Sequence, residues 1–265
     1  MSTPSAKPLS TKHAIVTGGG RGIGAAIAEA LAAGGASLSL LGRHLDVLET
    51  TAEGLRSRHG GRVAVAVADV ADEAALSQAL AGLQAELGQA DILVNNAGIA
   101  LSAPFLKSDA AFWRKMLDVD LMSAVHATQA VLPGMQAAGW GRIVNIASTA
   151  ALTGMPYITA YSAAKHALVG FTRSLAMELA KTPITVNAIC PGYTDTDIVA
   201  NTLDTITAKT GRSRDEALAN LVAHNPQGRL VQPSEIGGTV AWLCSEAASS
   251  VTGQSIVLAG GELMP

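Results

Sequence analysis

The chain has 265 residues, of which 49% are hydrophobic and 15% are charged, and its formal net charge is −3. This length suits one large α/β domain with a sizeable core. The slightly negative charge provides no basic field for nucleic acid or anionic lipid, and an aromatic content of 3% argues against a base-stacking surface. No apolar run reaches the roughly 18 residues of a membrane helix, so we expect neither a nucleic-acid partner nor a membrane partner.

The N-terminal segment and the cysteines bear on where the protein resides. Residues 1–10 are polar and lack an apolar signal core, so we expect a flexible N-terminal tail ahead of a domain over residues 11–265. Cys190 and Cys244 are far apart and have no metal-ligand spacing, which favours buried thiols in a reducing compartment. The expected location is the cytoplasm, and no metal site is predicted.

Short apolar runs alternate with longer Ala/Leu-rich segments along the chain. In chain order, the predicted strands cover residues 13–16, 37–41, 62–67, 91–94, 142–146, 185–189 and 255–258. The predicted helices cover residues 22–33, 45–58, 73–87, 111–137, 161–179, 214–222 and 235–243. This repeated β-then-α order predicts an α/β, doubly wound parallel sheet of about seven strands with helices on both faces. The long irregular stretch from Gly192 to about Gly228 is predicted to form a substrate lid near residues 193–228.

A glycine-rich loop follows the first predicted strand and precedes the first predicted helix. Gly18, Gly22 and Gly24 stand where a dinucleotide-binding loop needs a tight turn, a close backbone approach and close helix packing. The helix N-terminus then offers free N–H groups to a pyrophosphate. An ordinary glycine turn is the alternative, but the strand before and the helix after favour the cofactor. The predicted cofactor-binding residues of this loop are Gly18, Gly20, Arg21, Gly22 and Ile23.

The end of the second strand favours a phosphorylated cofactor. An acidic residue at this place would bind the ribose 2′-hydroxyl of NAD, but the sequence there reads Leu-Gly-Arg-His over residues 41–44. Arg43 can form charge-assisted hydrogen bonds to a 2′-phosphate, and Arg21 of the glycine loop can reach the same group. Two solvated arginines are the alternative. We therefore expect NADP(H) in preference to NAD(H).

Two further strand ends carry candidate cofactor contacts. Asp69 and Val70 follow the third strand, where a carboxylate can accept a hydrogen bond from the adenine amino group or, alternatively, cap a helix. Asn95, Ala97 and Gly98 follow the fourth strand within an Asn-Asn-Ala-Gly sequence. Asn side chains can satisfy loop backbone and fix neighbouring strands, and the small residues allow the cofactor to lie close, although a plain turn has the same composition.

Tyr161 and Lys165 are the candidate proton-transfer pair. Their spacing of four residues puts both side chains on one face of a helix. A nearby ammonium favours the phenolate form, which makes Tyr161 a usable proton donor and acceptor near neutral pH. Ser148, at the end of the preceding strand, can hold a substrate oxygen beside Tyr161. A structural tyrosine–lysine pair is the alternative when these two residues are taken alone.

Together these motifs resemble those of the short-chain dehydrogenase/reductase family, from about Thr11 to Gly261. The motifs are the glycine loop over residues 17–24, Asn-Asn-Ala-Gly over residues 95–98, Ser148, Tyr161 with Lys165, and Pro191-Gly192. The resemblance implies a single Rossmann-like domain that assembles as a homotetramer. It also implies that Ser148 positions the carbonyl or hydroxyl, Tyr161 transfers the proton, and Lys165 binds the nicotinamide ribose. Residues implied to lie along the nicotinamide are Pro191, Gly192, Thr194 and Thr196, with Thr196 a candidate for the carboxamide.

Asp120 departs from the family pattern. The family usually has Asn at this place, where it supports a water in the proton relay beside the lysine. A carboxylate can still accept a hydrogen bond from water, and it can also pair with Lys165. We hypothesise that Asp120 keeps the relay working and include it among the catalytic residues.

The resemblance is strongest to ketoreductases of 3-oxoacyl thioester and polyketide pathways and to 3-hydroxybutyrate dehydrogenases. A small-molecule ketone or alcohol is thus the expected substrate, in particular a 3-oxoacyl or other β-keto compound. An NAD-dependent, 3-hydroxybutyrate-like dehydrogenase is the first alternative. A dehalogenase-like lyase and a non-catalytic cofactor-sensing protein are alternatives from other classes. The intact glycine loop and Lys165 argue against the lyase, whereas Asp120 keeps the sensing role open.

Overall fold

Seven parallel strands form one sheet in the computed structural model, which describes residues 7–264 apart from the side chain of Lys209. The strands are β1 (His13–Thr17), β2 (Ser37–Gly42), β3 (Val63–Val67), β4 (Ile92–Asn95), β5 (Gly141–Ile146), β6 (Ile184–Pro191) and β7 (Ser255–Leu258). Their order across the sheet is β3-β2-β1-β4-β5-β6-β7, and all adjacent pairs are parallel. The predicted seven-stranded, doubly wound fold is confirmed.

Helices cover both faces of this sheet. They are α1 (Gly22–Ala33), α2 (Leu45–His59), α3 (Glu73–Leu87), α4 (Ala110–Leu117), α5 (Ser123–Ala138), α6 (Thr159–Glu178), α7 (Asp197–Thr210), α8 (Arg214–Val222) and α9 (Pro233–Leu243). Alternate residues of a strand point to opposite faces. Val16 of β1 therefore joins the apolar cluster of Ile27, whereas its neighbour Ile15 joins that of Leu76. Among residues 7–264, no helix is long and apolar enough to cross a membrane.

The strand order reverses between β1 and β4. The chain runs outward from β1 through β2 to β3, and then returns to place β4 on the other side of β1. The loops that leave β1 and β4 diverge at this point, which opens a crevice at the carboxyl ends of the strands. The glycine loop and the Asn-Asn-Ala-Gly loop both border this crevice, since they follow β1 and β4.

The predicted helix over residues 111–137 is interrupted in the structure. Helix α4 ends at Leu117, and one π-helical turn, Asp118–Met122, leads into α5. The wider turn brings Asp120 into the interior, where the residue is only 2% exposed. The helical spacing of apolar residues resumes after this turn, so the sequence predicted one continuous helix. Single π-turns within helices are frequent at functional sites.

Residues 7–10, which were predicted to belong to the flexible tail, lie against the domain. Leu9 is buried at 2% exposure in the apolar cluster on the α1 side of the sheet, and its backbone N–H donates to Gly34 O at 2.9 Å. Residues 7–10 are therefore packed against the domain, because the apolar side chain of Leu9 is buried in the core. Residues 1–6 of the predicted tail lie outside the described residues.

The stretch predicted as an irregular lid contains two helices, α7 and α8. They share an apolar cluster of Val199, Leu203 and Ala217. Two backbone hydrogen bonds of 2.9 Å, from Asp195 N to Val231 O and from Val231 N to Tyr193 O, join the two ends of the stretch. The helical pair thus has a small core of its own. Helix α7 was not among the predicted helices.

Both cysteines lie in the core, as expected. Burial raises the pKa of Cys190 to about 11 and that of Cys244 to about 12. Both thiols are therefore protonated at neutral pH, which makes them poor nucleophiles.

Candidate active site

The turn after β1 can take its shape because of its glycines. Gly18 adopts the left-handed conformation with φ of +64°, and a Cβ on Gly24 would lie 2.1 Å from Gly18 O. The Asn96 side-chain amide closes the turn by donating to Thr17 O at 2.9 Å and to Gly18 O at 3.1 Å. The loop backbone is consequently held open at the N-terminus of α1, where free N–H groups can receive a pyrophosphate.

A cavity of about 270 Å³ lies beside this loop, at the carboxyl ends of the strands. It brings together residues that are distant in sequence, including the two halves of the predicted proton-transfer pair. The predicted site residues that line it are Gly18, Arg21, Gly22, Ile23, Arg43, Ala97, Gly98, Asp120, Tyr161, Lys165 and Thr196. The predicted cofactor loop and the predicted catalytic helix therefore face the same space.

A second cavity, of about 570 Å³, continues from the first. The two share Arg43, Gly98 and Ile99 in their walls. Asp69, which was predicted to contact adenine, lines the second cavity rather than the first. An extended dinucleotide has room to run from one cavity into the other, with Arg43 at the junction.

Asp120, Lys165 and Tyr161 form the polar interior of the first cavity. Lys165 Nζ lies 3.3 Å from Asp120 Oδ1 and donates to Ile146 O at 3.0 Å. The Ile99 N–H donates to the same Asp120 Oδ1 at 3.1 Å. Lys165 Nζ stands 5.8 Å from the centroid of the Tyr161 ring. Asp120 Oδ2 is buried and has no hydrogen-bond partner among the described residues, so it is an available acceptor.

The charges of this ion pair are set by burial and by mutual attraction. Burial lowers the pKa of Lys165, but the Asp120 carboxylate and Tyr161 raise it, and the net direction is upward. Burial raises the pKa of Asp120 by more than Lys165 and the Ile99 N–H lower it. The charged form of Lys165 is therefore favoured overall, whereas the charged form of Asp120 is disfavoured overall. Within residues 7–264, no three His, Cys, Asp or Glu side chains come together as a metal site.

Ser148 lies just beyond β5, outside the walls of the first cavity. Its Oγ accepts a hydrogen bond from Ala150 N at 3.1 Å and thereby caps the short 3₁₀ turn Thr149–Ala151. The Ser162 hydroxyl donates to Ala150 O at 2.8 Å, which fixes this turn against α6 one residue from Tyr161. Ser148 is thus held near the start of the predicted catalytic helix.

Asn95 fixes neighbouring strands, and it does not line either cavity. Its side-chain amide donates to Asn145 Oδ1 at 2.8 Å and to Thr128 Oγ1 at 3.4 Å, and the residue is buried between β4 and β5. Its neighbour Asn96 lines the cavity instead. The contribution of Asn95 to the site is therefore indirect: its side chain fixes the strand from which the cofactor loop departs.

Other predicted cofactor residues also stand behind the cavity wall. Gly20 faces α2, where its carbonyl accepts from Thr51 Oγ1 at 2.7 Å, and Val70 is buried in the core.

The Gly192 N–H donates to Leu258 O at 2.9 Å, while Thr194 Oγ1 donates to Gly192 O at 3.0 Å. Pro191, Gly192 and Thr194 thus build the turn that delivers Thr196 to the cavity.

Several cavity residues were not among the predicted site residues. They are Gly24, Asn96, Ile99, Ala100, Ile146, Ala147, Asp197, Ile198 and Asn201. Gly24 and Asn96 stood within quoted motifs and could have been included. Asp197 directly follows Thr196, but the contact between the start of α7 and the glycine loop has no local signal in the sequence.

The sheet, the glycine loop and the cavity shared with Tyr161 and Lys165 define a nicotinamide-dependent oxidoreductase. The sequence pattern of the short chain dehydrogenases matches residues 12–207. The chain belongs to the short-chain dehydrogenase family, and it is an NAD(P)-dependent oxidoreductase.

Known relatives extend over almost the whole chain. D-beta-hydroxybutyrate dehydrogenase of Cupriavidus necator is 40% identical over 254 residues, which are 96% of this chain and 98% of that protein. The structure of L-sorbose reductase from Gluconobacter frateurii, complexed with NADPH and L-sorbose, has a TM-score of 0.93 at 33% identity and covers 98% of this chain and 99% of that one. A single-residue variant of actinorhodin polyketide ketoreductase with NADPH has a TM-score of 0.91 at 36% identity, covering 99% of both chains.

Proposed function

We propose that this protein catalyses the NADP(H)-dependent interconversion of a secondary alcohol and a ketone, with a 3-oxoacyl or other β-keto compound as substrate. The observation that carries the proposal is that Tyr161 and Lys165 line the same cavity as the glycine loop and Arg43. A proton-transfer group is thereby placed beside the space that a dinucleotide would occupy.

The backbone around the cavity fits a dinucleotide. Gly18 and Gly22 both have positive φ, and they lie in the cavity wall at the N-terminus of α1. A Cβ on Gly98 would lie 2.7 Å from Asp120 Oδ1, so only glycine leaves this wall flat. These residues would hold the pyrophosphate and the nicotinamide half of the cofactor.

The chain's own residues supply binding and proton transfer. When bound, the nicotinamide ring gives or takes a hydride at its C4 atom. In the reductive direction, the Tyr161 hydroxyl donates a proton to the substrate oxygen, and Ser148 positions that oxygen. Lys165 binds the nicotinamide-ribose hydroxyls and places a positive charge near the Tyr161 ring, while Thr196 is the candidate contact for the carboxamide.

Asp120 is proposed to keep the proton relay working. Its unpaired Oδ2 can accept a hydrogen bond from a water, as the amide oxygen of the usual asparagine would. The pH–rate profiles of the wild type and the Asp120→Asn variant should therefore differ little. A wild-type enzyme without activity on any substrate would contradict this role and favour cofactor sensing.

The cofactor preference is proposed from Arg43. This arginine stands directly after β2, at the junction of the two cavities, where the adenosine ribose would lie. The NADPH complexes of the two related structures agree with this preference. The alternative, an NAD-dependent 3-hydroxybutyrate-like dehydrogenase, has support from the relative of that name in Cupriavidus necator.

The substrate class is proposed from the relatives. A hydroxybutyrate dehydrogenase and a polyketide ketoreductase both stand among them. A 3-oxygenated acyl compound is the chemistry that the names of these two proteins share. We therefore place a β-keto substrate against Tyr161, under the helices α7 and α8 as a lid.

The oligomeric state and the cellular location of the protein are also part of the proposal. We infer a homotetramer in the cytoplasm, as the family resemblance implies. Light scattering on the purified protein tests the tetramer, and a monomer would contradict it.

The proposal is tested by binding and turnover on the purified protein. We expect NADPH to bind more tightly than NADH by fluorescence titration, and NADPH to be oxidised with β-keto esters or 3-oxoacyl thioesters. Cyclic ketones serve as the comparison substrates. Preference for NADH would move the function to the hydroxybutyrate-like alternative, and binding without turnover would favour a sensing role.

A further inference from the structure

Arg21 of the glycine loop is paired across the mouth of the first cavity. Its guanidinium Nη1 lies 3.6 Å from Asp197 Oδ2, the carboxylate of the first residue of α7. Both residues line the cavity. The contact therefore joins the proposed phosphate-binding loop to the proposed lid.

A second contact shows how closely these elements meet. A Cβ on Gly22 would lie 3.4 Å from the Thr196 methyl group, so the residue before Asp197 touches the glycine loop. Asp197 is consequently held near Arg21 by the fold itself, since its position does not depend on the ion pair alone.

The ion pair is weak enough to be exchanged. The two side chains are 66% and 70% exposed, and exposed pairs of this kind contribute little in water. A phosphate group offers an arginine more charge and more acceptor oxygens than one carboxylate does. Arg21 lines the same cavity as Arg43, the residue proposed to bind the 2′-phosphate.

We propose that Asp197 is a cofactor-specificity residue that competes with the 2′-phosphate of the dinucleotide for Arg21. The inference rests on the proposed function, because it needs a nicotinamide dinucleotide in this cavity. The Asp197 carboxylate acts by pairing with the Arg21 guanidinium, so that the 2′-phosphate must displace it in order to bind there. Asp197 therefore reduces the preference for NADP(H) that Arg21 and Arg43 create.

Equilibrium binding of NADPH and NADH to the full-length protein tests this inference without need of a substrate. The Asp197→Asn variant should bind NADPH about two- to fivefold more tightly than the wild type, and NADH with nearly unchanged affinity. The gain should shrink at high salt, because exposed charges are screened.

The matched control is Asp204→Asn on the same helix. Asp204 pairs with Arg214 inside the lid and does not line the cofactor cavity. This control should leave both affinities unchanged. If removal of the lid's ion pairs merely loosened the lid, the two variants would behave alike.

Two results would overturn the inference. Equal losses of NADPH and NADH affinity in Asp197→Asn would show that the carboxylate fastens the lid over either cofactor. An unchanged NADPH affinity would show that Asp197 does not compete with the 2′-phosphate for Arg21. Failure of the wild type to bind either nucleotide would instead overturn the proposed function, and this inference with it.

Discussion

Lys165 Nζ lies 3.3 Å from Asp120 Oδ1, and both side chains are almost completely buried. The pair joins the π-turn between α4 and α5 to the helix that carries Tyr161. Removing one partner of a buried pair leaves the other charge desolvated and uncompensated, which costs more than the pair itself contributes. The stability of this region should therefore depend on both residues together.

Substitution of Asp120 by leucine should destabilise the fold strongly. We expect the free energy of unfolding to fall by about 3–5 kcal/mol, because Lys165 would be buried without its counter-charge. Asp118→Leu is the control, since Asp118 lies in the same turn and is exposed. Its effect should stay within about 0.5 kcal/mol. Urea unfolding measures both, and equal losses would contradict the importance of the pair.

The raised pKa of Lys165 predicts a pH dependence of stability. Burial opposes the ammonium, but Asp120 and Tyr161 shift the pKa of Lys165 upward overall. Its contribution to stability is thus complete below the unfolded-state pKa and is lost as pH rises through the folded-state pKa. The difference in unfolding free energy between wild type and Lys165→Met should persist at neutral pH and decline only above about pH 10. A difference that vanishes between about pH 6 and 8 would mean that the pKa is lowered instead.

Arg43 should determine discrimination between the two cofactors. Hydrogen bonds to a charged group contribute about 1.5–3 kcal/mol, so Arg43→Gln should weaken NADPH binding by about 10- to 100-fold. NADH has no 2′-phosphate, and its affinity should change little. Fluorescence titration with both nucleotides measures the ratio. Equal weakening would show that Arg43 contacts a part common to the two cofactors.

Substitutions of Asn95 and Asn96 should have different effects, one on stability and the other on cofactor binding. Asn95→Ala removes the buried hydrogen bond to Asn145 and should lower the free energy of unfolding by about 1–3 kcal/mol. Asn96→Ala removes the amide that closes the glycine turn and should chiefly weaken cofactor binding. Paired unfolding and titration experiments test the contrast. If Asn95→Ala chiefly weakened cofactor binding and Asn96→Ala chiefly lowered stability, these roles would be contradicted.

The fold could be predicted because its signals are local. Each buried parallel strand is an apolar run, and each amphipathic helix repeats at its own period, so the order of β and α elements followed from the sequence. The π-turn at Asp118–Met122 could not, because one turn with a different backbone hydrogen-bond pattern inside a helix has no distinct local signal in the sequence. Helix α7 was missed because it packs mainly against α8 rather than the sheet, and its apolar stripe is short.

The site residues that belong to continuous sequence motifs could be predicted. Gly18, Arg43, Tyr161 and Lys165 belong to motifs with a known geometric reason, and they meet in one cavity. The choice between Asn95 and Asn96 depends on which way alternate residues of β4 point at its end. The contact of Arg21 with Asp197 joins residues that are far apart in the chain, and only the packed structure brings them together.

NADPH oxidation with a 3-oxoacyl thioester, measured for the wild type and for Tyr161→Phe, tests whether the protein is a ketoreductase with Tyr161 as its proton donor. We expect the wild type to oxidise NADPH in step with formation of the hydroxyacyl product. Loss of the Tyr161 hydroxyl should reduce kcat by about 10²- to 10⁴-fold while NADPH still binds, because it removes only the proton donor. Equal turnover by the two proteins would contradict the role of Tyr161 as proton donor. Absence of turnover by the wild type on any ketone would contradict the proposed reductase activity.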